Sequence, residues 1–97
     1  MSDIDYTWDE IKRQKTLSER GLDFADMVFF DWDTALTLED IRQDYPETRY
    51  SSKGLIKSVL VNCVWCYRNG TVRIISMRKA NKRERMYYEK QIQTSYR

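Results

Sequence analysis

Basic residues follow one another closely in the second half of the sequence, and their side chains suit contact with phosphate. The segment 71–79 carries Arg73 and Arg78, and it leads directly into Lys82 and Arg83. The guanidinium group of arginine matches the oxygens of a phosphate, and each such contact with a nucleic acid releases a counterion. The spacing therefore predicts a surface that binds phosphate groups.

A second basic segment, residues 47–53, carries Arg49, Tyr50 and Lys53. Tyrosine rings add flat faces on which unpaired bases can stack. The candidates for stacking are Tyr50, Tyr67, Tyr87 and Tyr88. For any one tyrosine, packing in the core is the commoner role, so both interpretations stay open.

Cleavage of RNA without a metal needs a base for the 2′-hydroxyl, positive groups that stabilise the phosphorane, and an acid for the leaving oxygen. The sequence contains no histidine, which excludes a ribonuclease built on a histidine pair. Lysine, tyrosine or glutamate must then transfer the protons, since arginine stabilises charge but is not an ordinary base. A lysine can act as the base only where burial or nearby positive charge lowers its pKa.

The pattern of acidic residues predicts neither a metal nor a cofactor. The basic half holds only Glu84 and Glu89, so it offers no carboxylate cluster for a two-metal nuclease. The acidic residues of 31–47 match no defined metal site. We therefore expect any activity to be independent of metal.

The net charge of +2 conceals a strong asymmetry between the two halves. Residues 1–50 contain 6 Lys/Arg and 13 Asp/Glu, whereas residues 51–97 contain 11 Lys/Arg and 2 Asp/Glu. Such an offset favours a nucleic-acid-binding face in the C-terminal half, although a solvated surface with no partner would show the same counts.

The length of 97 residues predicts one domain, spanning residues 1–97. A chain of this size buries roughly 60–65% of its unfolded surface, which leaves little room for a deep pocket. A shallow surface cleft is more suitable for a polymer than for a small metabolite. No segment resembles a signal peptide or reaches the ~20 apolar residues of a membrane span, so we expect a cytoplasmic protein with no membrane contact.

Cys63 and Cys66 form a C-x-x-C sequence, a spacing seen in redox and zinc sites. The segment alternates as a β-strand, and residues three apart on a strand point to opposite faces. The sequence offers no second cysteine pair and no histidine to complete a zinc site. We expect two buried, unlinked thiols without metal.

The first half predicts one short strand and two helices. Residues 4–8 alternate as a strand, Asp9 can cap a helix that ends near Arg20, and Gly21 suits the end of that helix. Asp23 can cap a second helix over 24–30. The residues of that helix expected in the core are Phe24, Met27 and Val28. An edge strand is predicted over 34–38.

The second half predicts an antiparallel sheet with strands at 47–53, 58–67 and 71–79. Gly54 is expected in the first turn, and Asn69-Gly70 is typical of a type I′ hairpin. The strand 58–67 is apolar on both faces, which predicts a central strand covered on both sides.

The pattern Asn81-x-x-Glu84 predicts the start of a last helix. The apolar stripe of this helix is Tyr88, Ile92 and Tyr96. The expected fold is α+β: a three- to four-stranded antiparallel sheet packed with N-terminal helices and a C-terminal helix.

Three blocks of the sequence resemble the BrnT toxin family. Residues 8–24 are similar to its W-D-x-x-K helix with a following K-H-G turn, and Glu47-Thr48-Arg49-Tyr50 is similar to its E-x-R-[FY] strand. Residues 73–88 resemble its R-I-I-S-x-R-x-A…R-E-R…Y ending, which is the most specific block.

The resemblance implies a RelE-like fold and a toxin that cleaves RNA, thereby inhibiting translation and growth. It also implies a neutralising antitoxin of the BrnA type, with a ribbon-helix-helix segment through which the complex contacts operator DNA. The implied catalytic residues are Lys12, Arg49, Arg73 and Arg78. The RNA-binding candidates are Arg20, Tyr50, Lys53, Arg83, Glu84 and Tyr88.

One departure from the family pattern keeps a second hypothesis open. The K-H-G turn of the family is Glu19-Arg20-Gly21 here, so Arg20 keeps the positive charge of a histidinium but loses a group that titrates near neutral pH. The alternative is a non-catalytic module, derived from the toxin fold, that binds nucleic acid or the antitoxin.

Overall fold

The computed structural model describes residues 4–95. The strands are β1 (Tyr6–Trp8), β2 (Leu36–Asp40), β3 (Arg49–Ile56), β4 (Val59–Arg68) and β5 (Thr71–Lys79). The helices are α1 (Glu10–Arg20), a 3₁₀ helix (Phe24–Phe29) and α2 (Lys82–Ser95). No helix in this part of the chain has the length and apolar content needed to cross a membrane.

The sheet has five strands in the order β1-β5-β4-β3-β2. β2, β3, β4 and β5 pair antiparallel, whereas β1 pairs parallel with β5. The α+β class is confirmed, but the prediction of a three- to four-stranded antiparallel sheet is wrong. The edge that the hairpin leaves open on β5 is covered by the three residues of β1, and alternation places Tyr6 and Trp8 against the core.

The two sharp turns of the sheet differ in how well local sequence predicts them. Asn69 and Gly70 both have positive φ, at 52° and 77°, which confirms the hairpin between β4 and β5. The turn before β4 is not at Gly54, as predicted, but at Lys57 and Ser58, which take φ of 47° and 75° without glycine. β3 therefore runs three residues further than the predicted strand.

Gly54 has a packing role inside β3. A Cβ atom at this position would overlap Cζ of Phe30 and lie 2.8 Å from its Cε1. Phe30 is itself buried and packs edge-on against Trp32, with ring centroids 4.7 Å apart. The missing side chain of Gly54 is therefore what lets the tip of the Phe30 ring approach the strand.

The main core lies between one face of the sheet and the 3₁₀ helix. Its buried members are Phe24, Met27, Phe30, Ile56, Val61, Cys63, Trp65, Val72, Ile74 and Met77. Val28 was expected in this core but is 65% exposed. The segment winds with three residues per turn, so Phe24, Met27 and Phe30 share one side and Val28 turns outward.

Helix α1 lies on the surface, as predicted. The Asp9 side chain accepts hydrogen bonds from the backbone N–H groups of Ile11 and Lys12, and Gly21 ends the helix at φ 68°. The Arg20 side chain in the last turn donates to the Met77 carbonyl oxygen at 2.7 Å. This contact joins the end of α1 to β5.

The opposite face of the sheet is covered by α2 at one end only. Tyr88 and Ile92 pack there against Leu60 and Ala80, and the Tyr88 hydroxyl hydrogen-bonds Thr34 Oγ1 at 3.0 Å. Tyr96, the third residue of the predicted stripe, lies outside the described residues. β4 is the central strand, as predicted, and its residues 60–66 are buried on both faces, although α2 covers only the Leu60 end of the second face.

The two cysteines lie on opposite faces of β4, as strand alternation predicts. Cys63 is buried in the main core, where burial raises the pKa of its thiol to about 12. Cys66 lies in register with Arg49 and Arg73 on the other face. Both cysteines are free, which confirms the prediction that they are unlinked.

The start of α2 is fixed by reciprocal hydrogen bonds and an ion pair. Asn81 Oδ1 accepts from the Glu84 N–H, and Glu84 Oε1 accepts from the Asn81 N–H, which confirms the predicted capping box. Both oxygens of Glu84 also accept from the two terminal nitrogens of Arg78, at 2.7 and 2.8 Å. Hydrogen bonds from Arg78 lower the pKa of the Glu84 carboxyl to about 2.

Replacing Glu84 by Gln should separate the ion pair from the capping box, because glutamine still accepts from the Asn81 N–H. The free energy of unfolding at pH 7 should fall by about 1.5–3 kcal/mol. In the wild type the depressed pKa gives a contribution that is complete above the ordinary value of 4.5 and is lost as the pH falls toward about 2. Thermal melts across this pH window should therefore show a smaller pH dependence for E84Q than for the wild type.

Glu89→Gln is the matched control, since it removes the same charge from an exposed position on α2. Melts of E89Q should follow the wild-type pH dependence. Equal pH dependence in E84Q and wild type would contradict the assigned role of the Arg78–Glu84 pair.

Gly54→Ala should lower the free energy of unfolding by about 1–3 kcal/mol, because the new methyl group overlaps the Phe30 ring. The same change in a Phe30→Leu background should cost much less, since the ring atoms that clash are gone. Denaturant unfolding of the two single variants and the double variant measures this coupling. Additive costs would show that the Phe30 ring does not require glycine at position 54.

Candidate nucleic-acid interface

Four predicted site residues lie on the face of the sheet that α2 leaves open. They are Arg49, Lys53, Arg73 and Arg78. They lie on the strands that flank β4. Arg49 and Arg73, the outer pair, lie opposite Cys66 of β4, and Lys53 and Arg78, the inner pair, lie opposite Asn62. Residues directly opposite each other in an antiparallel sheet point to the same side. The pairing therefore puts these four cationic side chains on one surface.

A β-bulge in β5 is what brings Arg73 and Arg78 to the same face. They are five positions apart, and an odd number of positions on a regular strand points two side chains to opposite sides. Val64 pairs with Ser76 and Trp65 with Ile74, so Ile75 is the extra residue on β5. The bulge shifts the alternation by one and aligns the two arginines.

A cleft of about 410 Å³ occupies this face between β2 and the start of α2. Its basic lining residues are Arg20, Arg42, Lys53 and Arg78; the acidic ones are Glu39, Asp40 and Glu84. The polar residues of its floor are Ser51, Asn62 and Ser76, beside the apolar Val64. Leu38 and Ile41 form an exposed apolar wall on the β2 side.

Two of the four cations in the cleft are already paired. Arg78 holds Glu84, and Arg42 holds Asp40 at 2.8 Å. Hydrogen bonds from Arg42 lower the pKa of the Asp40 carboxyl to about 2. Within residues 4–95, no carboxylate lies within 4.0 Å of the charged nitrogens of Lys53 or Arg20. Lys53 and Arg20 are therefore the cations of the cleft best placed to meet an added anion.

The outer pair of arginines lies along the sheet from the cleft. The Arg49 guanidinium lies over the Tyr45 ring at 4.1 Å, and its Nε is 3.9 Å from Glu47 Oε2. Glu47 instead accepts a 2.7 Å hydrogen bond from Arg68, which lowers the pKa of its carboxyl. Arg73 forms no ion pair or hydrogen bond through its side chain in the described part of the chain.

Lys12 and Arg83 lie apart from the floor of the cleft. Lys12 is exposed in the first turn of α1 and does not line the cleft. It lies about 12 Å along the helix axis from Arg20, which does line the cleft. Arg83 is exposed in the first turn of α2, next to Glu84.

Two of the four tyrosines predicted for base stacking, Tyr50 and Tyr88, are directed away from the cleft, whereas Tyr67 and Tyr87 are exposed and do not line it. Tyr50 follows Arg49 on β3, so alternation turns it to the core face, where its ring lies 4.9 Å from that of Trp65. Tyr88 is only 6% exposed, on the side of α2 that packs against Leu60 and Ala80. Neither ring offers an open face beside the cleft, and core packing is the role that the structure gives both of them.

Sequence reasoning missed the polar floor of the cleft. Ser51 lies between Arg49 and Lys53 with the same period of two, which already places it on their face. Asn62 is an amide within the otherwise apolar run of β4. A polar residue at the centre of an apolar strand is the signal that could have identified this position.

The arrangement suits electrostatic binding of a phosphate chain across an exposed sheet face. No group of three or more His, Cys, Asp or Glu side chains within residues 4–95 is arranged to hold a metal ion. The groups that this face offers to an anionic ligand are cations, hydroxyls and an amide.

Comparison with known proteins adds the family. A search of the curated proteins found no match. The family model described as "Ribonuclease toxin, BrnT, of type II toxin-antitoxin system" matches residues 8–84. The match runs from the end of β1 to Glu84 and includes the four cations of the open face. This chain belongs to the BrnT family of ribonuclease toxins of type II toxin–antitoxin systems.

Proposed function

We propose that this protein is an endoribonuclease toxin, acting as one domain in the cytoplasm, that cleaves RNA without a metal and inhibits translation and growth. The observation that carries the proposal is the open sheet face, where Arg49, Lys53, Arg73 and Arg78 flank one strand. A RelE-like arrangement is part of the proposal, with α2 packed beside this face. The cleft is shallow and open, which fits a polymer.

Charge stabilisation is the main catalytic contribution in this proposal. Arg73 forms no ion pair with any residue of 4–95 and the Arg49 guanidinium lies over the Tyr45 ring, so both guanidinium groups can meet a phosphate. A well-aimed donor in such a site lowers the activation free energy by about 3 kcal/mol. The 2′-hydroxyl attacks the phosphorus, the P–O5′ bond breaks, and the products carry a 2′,3′-cyclic phosphate and a 5′-hydroxyl.

Arg78 has a different part in the proposal from the other arginines. Both of its terminal nitrogens hold Glu84, so its first role is to fix the start of α2 beside the cleft. We assign proton transfer to Lys12, the lysine among the catalytic residues that the resemblance implies, although it does not line the cleft. Lys53 is the one lysine that lines the cleft, and we assign it to phosphate binding.

The second candidate function is a binding module that does not cleave RNA. Arg20 occupies the position where the resembling family turn has histidine, and its side chain lines the cleft while it donates to the Met77 carbonyl. An arginine there can hold a phosphate but cannot exchange a proton near neutral pH. Arg20 therefore favours a protein with weak or no cleavage activity. An RNA cleavage assay distinguishes an attenuated toxin, which cleaves slowly, from a module that only binds.

Membership of a type II toxin–antitoxin family implies an antitoxin partner. We propose an antitoxin of the BrnA type that covers the open face and contacts operator DNA through its own ribbon-helix-helix segment. The exposed Leu38 and Ile41 beside unpaired cations suit an acidic segment with apolar anchors. RNA and antitoxin would then compete for one surface.

Purified protein should cleave single-stranded RNA in the presence of EDTA. Arg73→Ala and Arg49→Ala should each lower the cleavage rate about 100-fold, because each removes a cation aimed at the reacting phosphate. Lys15→Ala is the matched control, since it removes one positive charge from an exposed position on α1. Gel analysis of end-labelled RNA, with mass spectrometry of the products, measures rate and end chemistry.

Full activity in the R49A/R73A double variant would place the active site on another face. Loss of cleavage in EDTA would contradict the metal-free mechanism. RNA binding by the wild type without any cleavage would support the binding module instead.

A further inference from the structure

The floor of the cleft contains a buried amide that the residue assignments above do not use. Asn62 lies at the centre of β4 and is 8% exposed, between apolar neighbours on its strand. Lys53 and Arg78 flank it in register on the two adjacent strands. It therefore lies at the centre of the inner row of cations.

The amide of Asn62 is only half satisfied. Its Oδ1 accepts a 3.0 Å hydrogen bond from Ser51 Oγ, which fixes the orientation of the group. Within residues 4–95, no oxygen accepts a hydrogen bond from its Nδ2, and this atom is accessible to solvent. Because Asn62 lines the cleft, this donor opens toward the space above the floor.

An amide at the centre of an apolar strand gives up burial free energy that an apolar side chain of similar size would supply. The neighbouring donors suggest what compensates it. Ser76 Oγ lines the same floor, and Lys53 carries a charge that no described carboxylate pairs within 4.0 Å. An amide N–H, a hydroxyl and an ammonium group converging on one space match the oxygens of a phosphate.

We propose that Asn62 contacts the substrate, and that its Nδ2 donates to a non-bridging oxygen of an RNA phosphate held on the cleft floor beside Lys53. The inference rests on the proposed function for its substrate, RNA. It adds a neutral donor to the cations of the open face. Ser51 is a positioning residue that turns the amide so that its N–H group faces the phosphate.

The test uses the full chain and two probes: inorganic phosphate, and a single-stranded RNA whose 2′-hydroxyls are all methylated and which therefore cannot be cleaved by the proposed route. In ¹H–¹⁵N spectra, the side-chain amide signals of Asn62, identified by their absence in Asn62→Asp, should shift with both probes. Asn62→Asp and Asn62→Leu should each raise Kd for the methylated RNA about tenfold or more. The midpoint of thermal unfolding of N62L should equal or exceed that of the wild type.

Ser52→Ala is the matched control. Ser52 is a buried polar residue of β3 that faces the opposite side of the sheet, where its Oγ accepts from Trp65 Nε1 at 2.8 Å. This variant should melt earlier than the wild type but bind the methylated RNA with unchanged Kd. A purely structural Asn62 would give that same result in N62L, which would overturn the proposal.

The outcomes separate the inference from the proposed function. Shifts of the Asn62 amide with both probes, in a protein that cleaves no RNA, would support the phosphate contact and refute the ribonuclease. Normal cleavage by N62D, with no shift of the Asn62 amide in the wild type, would refute the contact and leave the ribonuclease standing. A shift with the RNA but not with inorganic phosphate would overturn the assignment of phosphate as the group contacted.

Discussion

The pairing of β4 with β3 and β5 is the constraint on which the rest of the structure depends. This register sends Val61, Cys63 and Trp65 into the core and Asn62, Val64 and Cys66 to the other side. Because the period of a strand is two, a slip of one residue would exchange the faces and bury the cations. Core packing thus fixes the chemistry of the open face: the apolar residues on one side of β4 decide which polar residues appear on the other.

Local chemistry predicts several elements well. The Asp9 cap, the Asn69-Gly70 hairpin and the Asn81–Glu84 capping box each depend on residues within four positions of one another. Features set by distant contacts were not predictable in this way. Gly54 serves Phe30, which lies 24 positions earlier, and the parallel pairing of β1 joins Tyr6 to Val72.

The candidate site shows the same division. The basic residues of the open face could be predicted from composition and spacing, but their shared orientation could not, because an unbroken β5 would separate Arg73 from Arg78. No glycine or proline stands beside Ile75 to indicate the bulge in the sequence. Strand alternation alone excludes Tyr50 from the face of Arg49, because consecutive residues of a strand point to opposite faces. The two residues were predicted to share a site because they are adjacent in the sequence. Tyr88 was ambiguous because an aromatic residue on a helix suits a core as well as a binding surface.

The open face is costly to a domain of this size, and that cost argues for a ligand. Four cations on one surface repel one another, and only Arg78 is fully matched by a carboxylate. Arg49 Nε is buried without a hydrogen-bond partner, and within residues 4–95 no oxygen accepts a hydrogen bond from Nδ2 of Asn62, which lines the cleft. Such groups persist where an anion binds, because its oxygens satisfy the donors and its charge offsets the repulsion. Asp40 and Glu84 already form ion pairs with arginines on this side of the protein, so carboxylates of the chain itself can neutralise cations there. Within residues 4–95, no carboxylate lies within 4.0 Å of the charged nitrogens of Lys53 or Arg73, so an RNA phosphate or an acidic antitoxin segment would supply negative charge on this face.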